Sequence, residues 1–325
     1  MKLSEVADSP HFKEQGELTR FSRVHPSPEQ AGAIRATADP ARLAAQVEDP
    51  ALPLPLRLAA GAILAVTGDP RLSGSAPATC FVTGGETEMG LAPGDVASVV
   101  DQWKHVGVVS SWIEKETPQH TVFLRDFWMA TYPVTNGEYR EFLADTAHAA
   151  RPTTWYLGAY PWERSNHPVA GIQPEDADLY AQWLSGKTGH PWRLPTEAEW
   201  ERAAKGEDGR EFPWGKLFDS EACNTRETGL HTTSPVGAFP AGASPYGVHD
   251  MGGNVEEFVA DNYVPYPSGS FVEDHLVESM GRYRIARGGS FSRFGDLTRT
   301  RRRHGAFPGP LYPVGFRLAT SERPS

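Results

Sequence analysis

Cysteine is nearly missing from this chain. Only Cys80 and Cys223 occur, so one disulfide is the most the sequence allows and a disulfide framework is excluded. No apolar run approaches the ~20 residues that a membrane span requires. The opening stretch MKLSEVADSPHFKEQ holds no apolar signal core. The expectation is a soluble, cytoplasmic protein with no membrane partner. Bases are outnumbered, 31 against 41 acids, for a formal charge of -10, which argues against a nucleic-acid partner. Walker, nucleophile-elbow, zincin and dinucleotide fingerprints are all absent.

What is abundant is turn chemistry and aromatic surface. Glycine (32), proline (28) and nine tryptophans in 325 residues favour a loop-rich α+β fold with short strands over a helical bundle. Helix starts are legible. Ser27-Pro28-Glu29 and Asp39-Pro40 each pair an N-cap with a proline. PLRLAAGAILAVT (55–67) is an apolar helix stopped at Gly68. Residues 1–78 read as a helical lead-in of two or three helices, and 79–325 as the main domain. Within the latter, 81–90 reads as a strand with a Gly-Gly turn, and 121–132 as one alternating strand. Thr135-x-x-Glu138 and Thr196-x-x-Glu199 are capping boxes, the second leading to a stop at Gly206. Pro174 opens a helix whose Ala177, Tyr180, Ala181 and Leu184 share a face, with an end expected at Gly186. Beyond it, turns are expected to dominate to the C-terminus.

Seven segments in order carry a family resemblance: PVTNGEYREFL (133–143), HPVAGIQPEDADLYAQWL (167–184), RLPTEAEWERAAKG (193–206), FPWG (212–215), SPYGVHDMGGNV (244–255), RGGSF (287–291) and GFRLA (315–319). Together they resemble the formylglycine-generating enzyme (sulfatase-modifying factor) superfamily over residues 80–320. The resemblance implies an irregular α+β, C-type-lectin-like fold with little regular secondary structure. Its members include formylglycine-generating oxidases, sulfoxide synthases of ergothioneine biosynthesis, pyoverdine-maturation enzymes and non-catalytic display domains, so the fold leaves the function open.

The chain departs from that family at its chemistry. Formylglycine-generating enzymes carry a C-x4-C pair after the GGS turn, thiolates suited to copper. Counting from Gly288-Gly289-Ser290, those places hold Arg293 and Thr298, so copper–thiolate oxidation of a sulfatase cysteine is not expected. The family's G-N-V-W-E-W turn reads Gly253-Asn254-Val255-Glu256-Glu257-Phe258 here. Glu256 is then either a charged pocket wall or surface drift. Between Arg282 and Arg303 stand eight arginines and one acid, Asp296. Arginine's planar fork suits carboxylate or phosphate, and the alternative is that several of these residues pair internally. The expected catalytic set is Glu256, Arg293, Asp296 and His304. The expected substrate contacts are Trp155, Arg287, Ser290, Arg299 and Arg301, around a small-molecule or peptide substrate of anionic character.

The resemblance also implies two structural calcium sites. One would use the Asp250 and Glu257 carboxylates with the Gly253 and Val255 carbonyls. The other would use Asn224 with the Thr225 and Leu230 carbonyls, but Thr228 stands where the family has aspartate, with Glu227 adjacent. Either loop can equally be a turn without metal. The H-x3-H-x-E iron motif of the ergothioneine branch is missing. His11, His25, His105, His120 and His167 are scattered, so iron or copper stays an open cofactor. The leading reading is a diverged oxidoreductase of specialised metabolism, and its rival is a non-catalytic binding module.

Overall fold

A computed structural model describes residues 27–35, 39–307, 309 and 312–324. Three helices come first: α1 (Pro28–Arg35), α2 (Pro40–Val47) and α3 (Leu54–Thr67). The Asp39 carboxylate caps α2 by accepting from the Ala41 amide at 3.0 Å. Leu43, Val47, Ala60 and Leu64 bury with Ala238 and Phe239. α3 docks so closely on the loop carrying those residues that a Cβ on Gly61 would collide with Pro235.

The following segments are short and irregular, as the glycine and proline content requires. β1 (Thr79–Val82) and β2 (Gly85–Met89) flank the expected Gly-Gly turn, and α4 (Val96–Trp103) and α5 (Ser110–Glu114) follow. The single strand expected over 121–132 is two: β3 (His120–Leu124) pairs with β2, and β4 (Phe127–Ala130) pairs with β1 in a different sheet. The adjacent exposed charges Arg125 and Asp126 mark the break, and the inward-facing positions shift from even numbers in β3 to odd numbers in β4. Both capping boxes form. The first opens α6 (Asn136–Thr146) and the second α8 (Glu197–Lys205), which Gly206 terminates. Between them, α7 (Pro174–Thr188) buries the predicted stripe but runs past Gly186 to a left-handed cap at Gly189.

Turns and irregular chain dominate the C-terminal third, as expected, around a few short elements. β5 (Glu256–Asn262), α9 (His275–Met280), β6 (Arg284–Arg287), β7 (His304–Gly305), β8 (Val314–Phe316) and β9 (Ala319–Thr320) occur there. Four strands form a sheet in the order β7-β6-β5-β8, and β9 joins β1 and β4. One face of the four-stranded sheet, with Phe258, Ala286 and Phe316, packs on Tyr139 and Phe142 of α6 and Tyr180 of α7. The other face, with Val259 and Ile285, packs on Trp200 of α8 and on Met251. Full burial of each such large side chain is worth roughly 1.5–3 kcal/mol. No helix among the described residues is long and apolar enough to cross a membrane.

Candidate functional site

Side chains alternate across a strand, so Glu256 and Phe258 of β5 share one face while Glu257 takes the other. Phe258, Ala286 and His304 form one row across β5, β6 and β7. The small Ala286 lets His304 reach over the middle strand to Glu256. Glu256 is fully buried. Its Oε2 lies 2.7 Å from His304 Nδ1, and its Oε1 accepts from the Tyr312 hydroxyl at 2.6 Å. Arg293 Nε donates to the Tyr312 oxygen at 3.0 Å, with its guanidinium 4.6 Å from the centre of that ring.

Electrostatics fixes the protons. Burial would push the Glu256 carboxyl up, but His304, Arg293 and Tyr312 together outweigh it and hold the group below the usual carboxylate range. Burial pulls the His304 ring down to about 4; Arg302 and Lys115 add to this and Glu256 opposes it. At neutral pH the ring is therefore uncharged. The hydrogen-bond network assigns its proton to Nδ1, facing the Glu256 carboxylate, and leaves the Nε2 lone pair free. Among the described residues, both hydrogen bonds of the ring run through Nδ1.

His304 opens onto a cavity of about 270 Å³ lined also by Trp112, Arg226, His275, Ser292, Arg293, Phe294, Asp296, Arg302 and Phe307. Asp296 sits on the turn Gly295–Thr298. Burial, reinforced by Glu227 and opposed by Arg302 and Arg299, pushes its carboxyl up to about 6. Arg302 Nε is 3.7 Å from that carboxylate. Of the expected catalytic set, Arg293, Asp296 and His304 line one pocket, with Glu256 behind His304. Sequence reasoning missed Tyr312, His275, Trp112 and Arg226, which lie far apart in the chain and share no spacing motif.

The expected substrate contacts lie elsewhere. Trp155 lines a separate cavity of about 380 Å³ and donates to Asn136 Oδ1 at 2.7 Å. Arg287 is sealed against Glu201 at 2.6 Å, and Arg299 is forked onto Glu116 at 3.0 and 2.9 Å and also bound to Glu211. Arg301 pairs with Glu211 at 2.7 Å and faces an outer cleft. Ser290 is buried beside Ser292. A buried guanidinium must be paired, and these have found acids of the chain itself.

The calcium-like loops differ from one another. Asp250 accepts from the Gly237 amide at 2.7 Å and the Asn254 amide nitrogen at 3.3 Å. Glu257 accepts from Arg317 Nε and Nη2 at 2.7 and 2.6 Å and from Trp200 Nε1 at 2.8 Å. Donors already surround both carboxylates and Arg317 supplies the countercharge, so Asp250, Gly253, Val255 and Glu257 do not fit a hard cation. In the second loop the Asn224 Oδ1 is buried without a donor, which fits a cation ligand beside the Thr225 and Leu230 carbonyls. Glu227 turns away and accepts the Gly295 amide at 2.8 Å.

A redox metal finds less. No three His, Cys, Asp or Glu side chains converge to hold an ion among the described residues. Cys80 meets Thr131, while Cys223 meets Asp219 and Thr225; both are free thiols and neither lines the pocket. Thr298, in the second cysteine's place, donates to the Gly295 carbonyl. His105, His120 and His167 also lie off the pocket. His11 and His25 fall outside the described residues.

A family model described as sulfatase-modifying factor enzyme 1-like domain matches residues 66–322. A hercynine oxygenase of Mycolicibacterium smegmatis is 31% identical over 219 residues, 55% of this chain and 49% of that protein. A formylglycine-generating enzyme of Streptomyces coelicolor is 32% identical over 232 residues, 54% of this chain and 71% of its own. The chain spans about half the length of the hercynine oxygenases it matches. Among solved structures, PvdO from Pseudomonas aeruginosa is similar with a TM-score of 0.56 and 27% identity, covering 75% of this chain and 94% of that one.

Proposed function

The chain belongs to the sulfatase-modifying factor enzyme 1-like family, and from that premise we propose that it is a diverged oxidoreductase acting on a small or peptidyl anionic substrate of specialised metabolism. The observation that carries the reading is the exchange at the GGS turn. Where the paired thiolates of formylglycine-generating enzymes would stand, Arg293 faces a cavity backed by Glu256, Tyr312 and a neutral His304. The similarity to hercynine oxygenases supports oxidation with dioxygen as the oxidant to test.

Each residue has a defined task. Arg293 binds the substrate's anionic group. His304 Nε2 takes the proton released when the substrate is oxidised. The Glu256 carboxylate holds the ring's tautomer and stabilises the imidazolium that forms, which is the logic of a base oriented by a third group. Tyr312 positions both by bridging Glu256 and Arg293. Calcium, if bound, would sit at Asn224 and tie the 224–234 loop together.

The test is oxygen uptake and product mass with carboxylate-bearing amino acids and short peptides. His304→Gln is expected to lower kcat roughly 100-fold or more. Arg293→Ala is expected to raise KM about 10- to 100-fold through loss of a charged hydrogen bond. Binding without turnover across the panel would overturn the oxidoreductase and leave a non-catalytic binding module in its place.

A further inference from the structure

The composition of the His304 cavity narrows the ligand further, given the reading above that this cavity is the active site. We infer that it receives an aromatic monocarboxylate: one ring joined by a short chain to a single carboxylate.

The charge comes first. Arg226 and Arg293 line the cavity, and no carboxylate lies within ion-pair distance of either among the described residues. Arg302 is 2% exposed, and its Nε, 3.7 Å from the Asp296 carboxylate, makes an ion pair but no hydrogen bond. Its guanidinium otherwise rests on the Trp112 and Arg303 carbonyls. Donors left over in a concave, desolvated site call for an anion from outside. The same cavity carries Asp296, with Glu256 behind His304, and these carboxylates oppose a second negative charge on the ligand. A monoanion fits that balance and a phosphate dianion does not.

The walls define the rest. Trp112, His275 and Phe307 follow one another along one side, with ring centres 5.4 and 5.9 Å apart. Phe294 also lines the cavity, under the Arg226 guanidinium at 5.1 Å. Aromatic walls favour a ring that meets them edge-to-face or offset, beyond what apolar area alone gives. The size agrees. An apolar cavity of roughly 150 Å³ holds benzene, so about 270 Å³ holds a ring with a carboxylate on a two- or three-atom arm.

The measurement is isothermal titration calorimetry of the whole chain with four probes: 3-phenylpropionate, 3-cyclohexylpropionate, 3-phenylpropanamide and phenyl phosphate. The first is expected to bind at least ten times more tightly than each of the others. Arg293→Ala and, separately, Arg226→Ala should remove that advantage over the amide while leaving the amide's own affinity unchanged; two variants guard against one failing to fold. Equal binding of the cyclohexyl acid overturns the aromatic requirement. Equal binding of the amide overturns the anion requirement. Tighter binding of phenyl phosphate overturns the monocarboxylate. If no aromatic acid binds while non-aromatic carboxylates consume oxygen, this inference falls and the oxidoreductase stands. If phenylpropionate binds as expected but no aromatic acid is ever oxidised, the inference stands and the oxidoreductase falls.

Discussion

Glu256 and Glu257 are consecutive, both buried and both charged, yet they live in different chemical worlds. Glu257 faces the core shared with α8, where Arg317 grips it with two nitrogens and Trp200 adds a third donor. Around it the pattern repeats, with Arg287 on Glu201, Arg303 on Glu197 and Lys205 on Glu201. Glu201 is pulled down to about 2; burial opposes this, but Lys205 and Arg287 outweigh it. Glu256 lies behind His304 at the back of the cavity, where its partners are a neutral ring and a phenol, and Arg226 and Arg293 line the cavity with no carboxylate in ion-pair distance among the described residues. On the first face every cation sits on a carboxylate and the pairs are sealed. On the second, Arg226 and Arg293 are unmatched and reachable. A buried arginine by itself says nothing about function; what distinguishes the cavity is donor capacity left after the protein's own acids have been counted.

Breaking one member on each face should separate them most sharply. Arg317→Ala leaves the Glu257 charge buried without its main partner, and should cost about 3–5 kcal/mol in urea unfolding. Glu256→Gln keeps an acceptor for Tyr312, and should cost only about 1 kcal/mol while abolishing turnover. Equal stability losses in the two variants would erase the distinction between the faces.

That distinction was only half legible beforehand. Caps and turn residues are local signals, so α2, α6 and α8 could be read from Asp39, Thr135 and Thr196. Glu256 and Arg293 followed from departures at known motif positions, and Asp296 and His304 from their place beside the arginine cluster. The arginine cluster could not be sorted in the same way. Arg299 meets Glu116 and Arg303 meets Glu197 across more than a hundred residues, and no spacing rule reports such pairings. Tyr312 escaped for the same reason, since the phenol acquires its role only when β8 pairs with β5 and brings it over Glu256.

Acid should expose the cavity's unmatched charges next. The ordinary histidine value is about 6.5, whereas His304 sits at about 4. Between those limits the unfolded chain binds the extra proton, so this group loses stability as pH falls from 6.5 to 4, by about 3 kcal/mol at most. Asp296 runs the other way. Its folded value of about 6 lies above the ordinary ~3.9, so the folded state holds the extra proton and this group gains stability as pH falls through 6. The two nearly cancel in the wild type. Asp296→Asn removes the gain and leaves Arg299, Arg302, Arg293 and Glu227 in place. Its urea midpoint should therefore fall more steeply than the wild type's between pH 6.5 and 4.5, by up to about 2 kcal/mol. Parallel curves would show that the cavity does not raise the Asp296 carboxyl.

The smallest effect concerns the two calcium-like loops, which divide along the same line. The Glu257 loop has its countercharge built in, while the Asn224 loop keeps Asn224 Oδ1, and Glu227 Oε2 turned toward Gly295, buried without a donor. A site with one amide oxygen, backbone carbonyls and no carboxylate belongs at the weak end of protein calcium affinity, roughly 10⁻⁴–10⁻³ M. At a free concentration a few times that, binding adds about 1 kcal/mol, or about 2 °C in Tm for a chain of this size. Calcium should thus raise Tm slightly over EDTA, magnesium should not, and Asn224→Ala should remove the response. Arg317→Ala offers the converse. Stripped of its guanidinium, the Glu257 carboxylate becomes available beside Asp250, so calcium should stabilise this variant more than it does the wild type. A calcium response that survives Asn224→Ala but vanishes in Glu257→Gln would place the ion at the loop whose donors are already spoken for, and would reverse the assignment of the two loops.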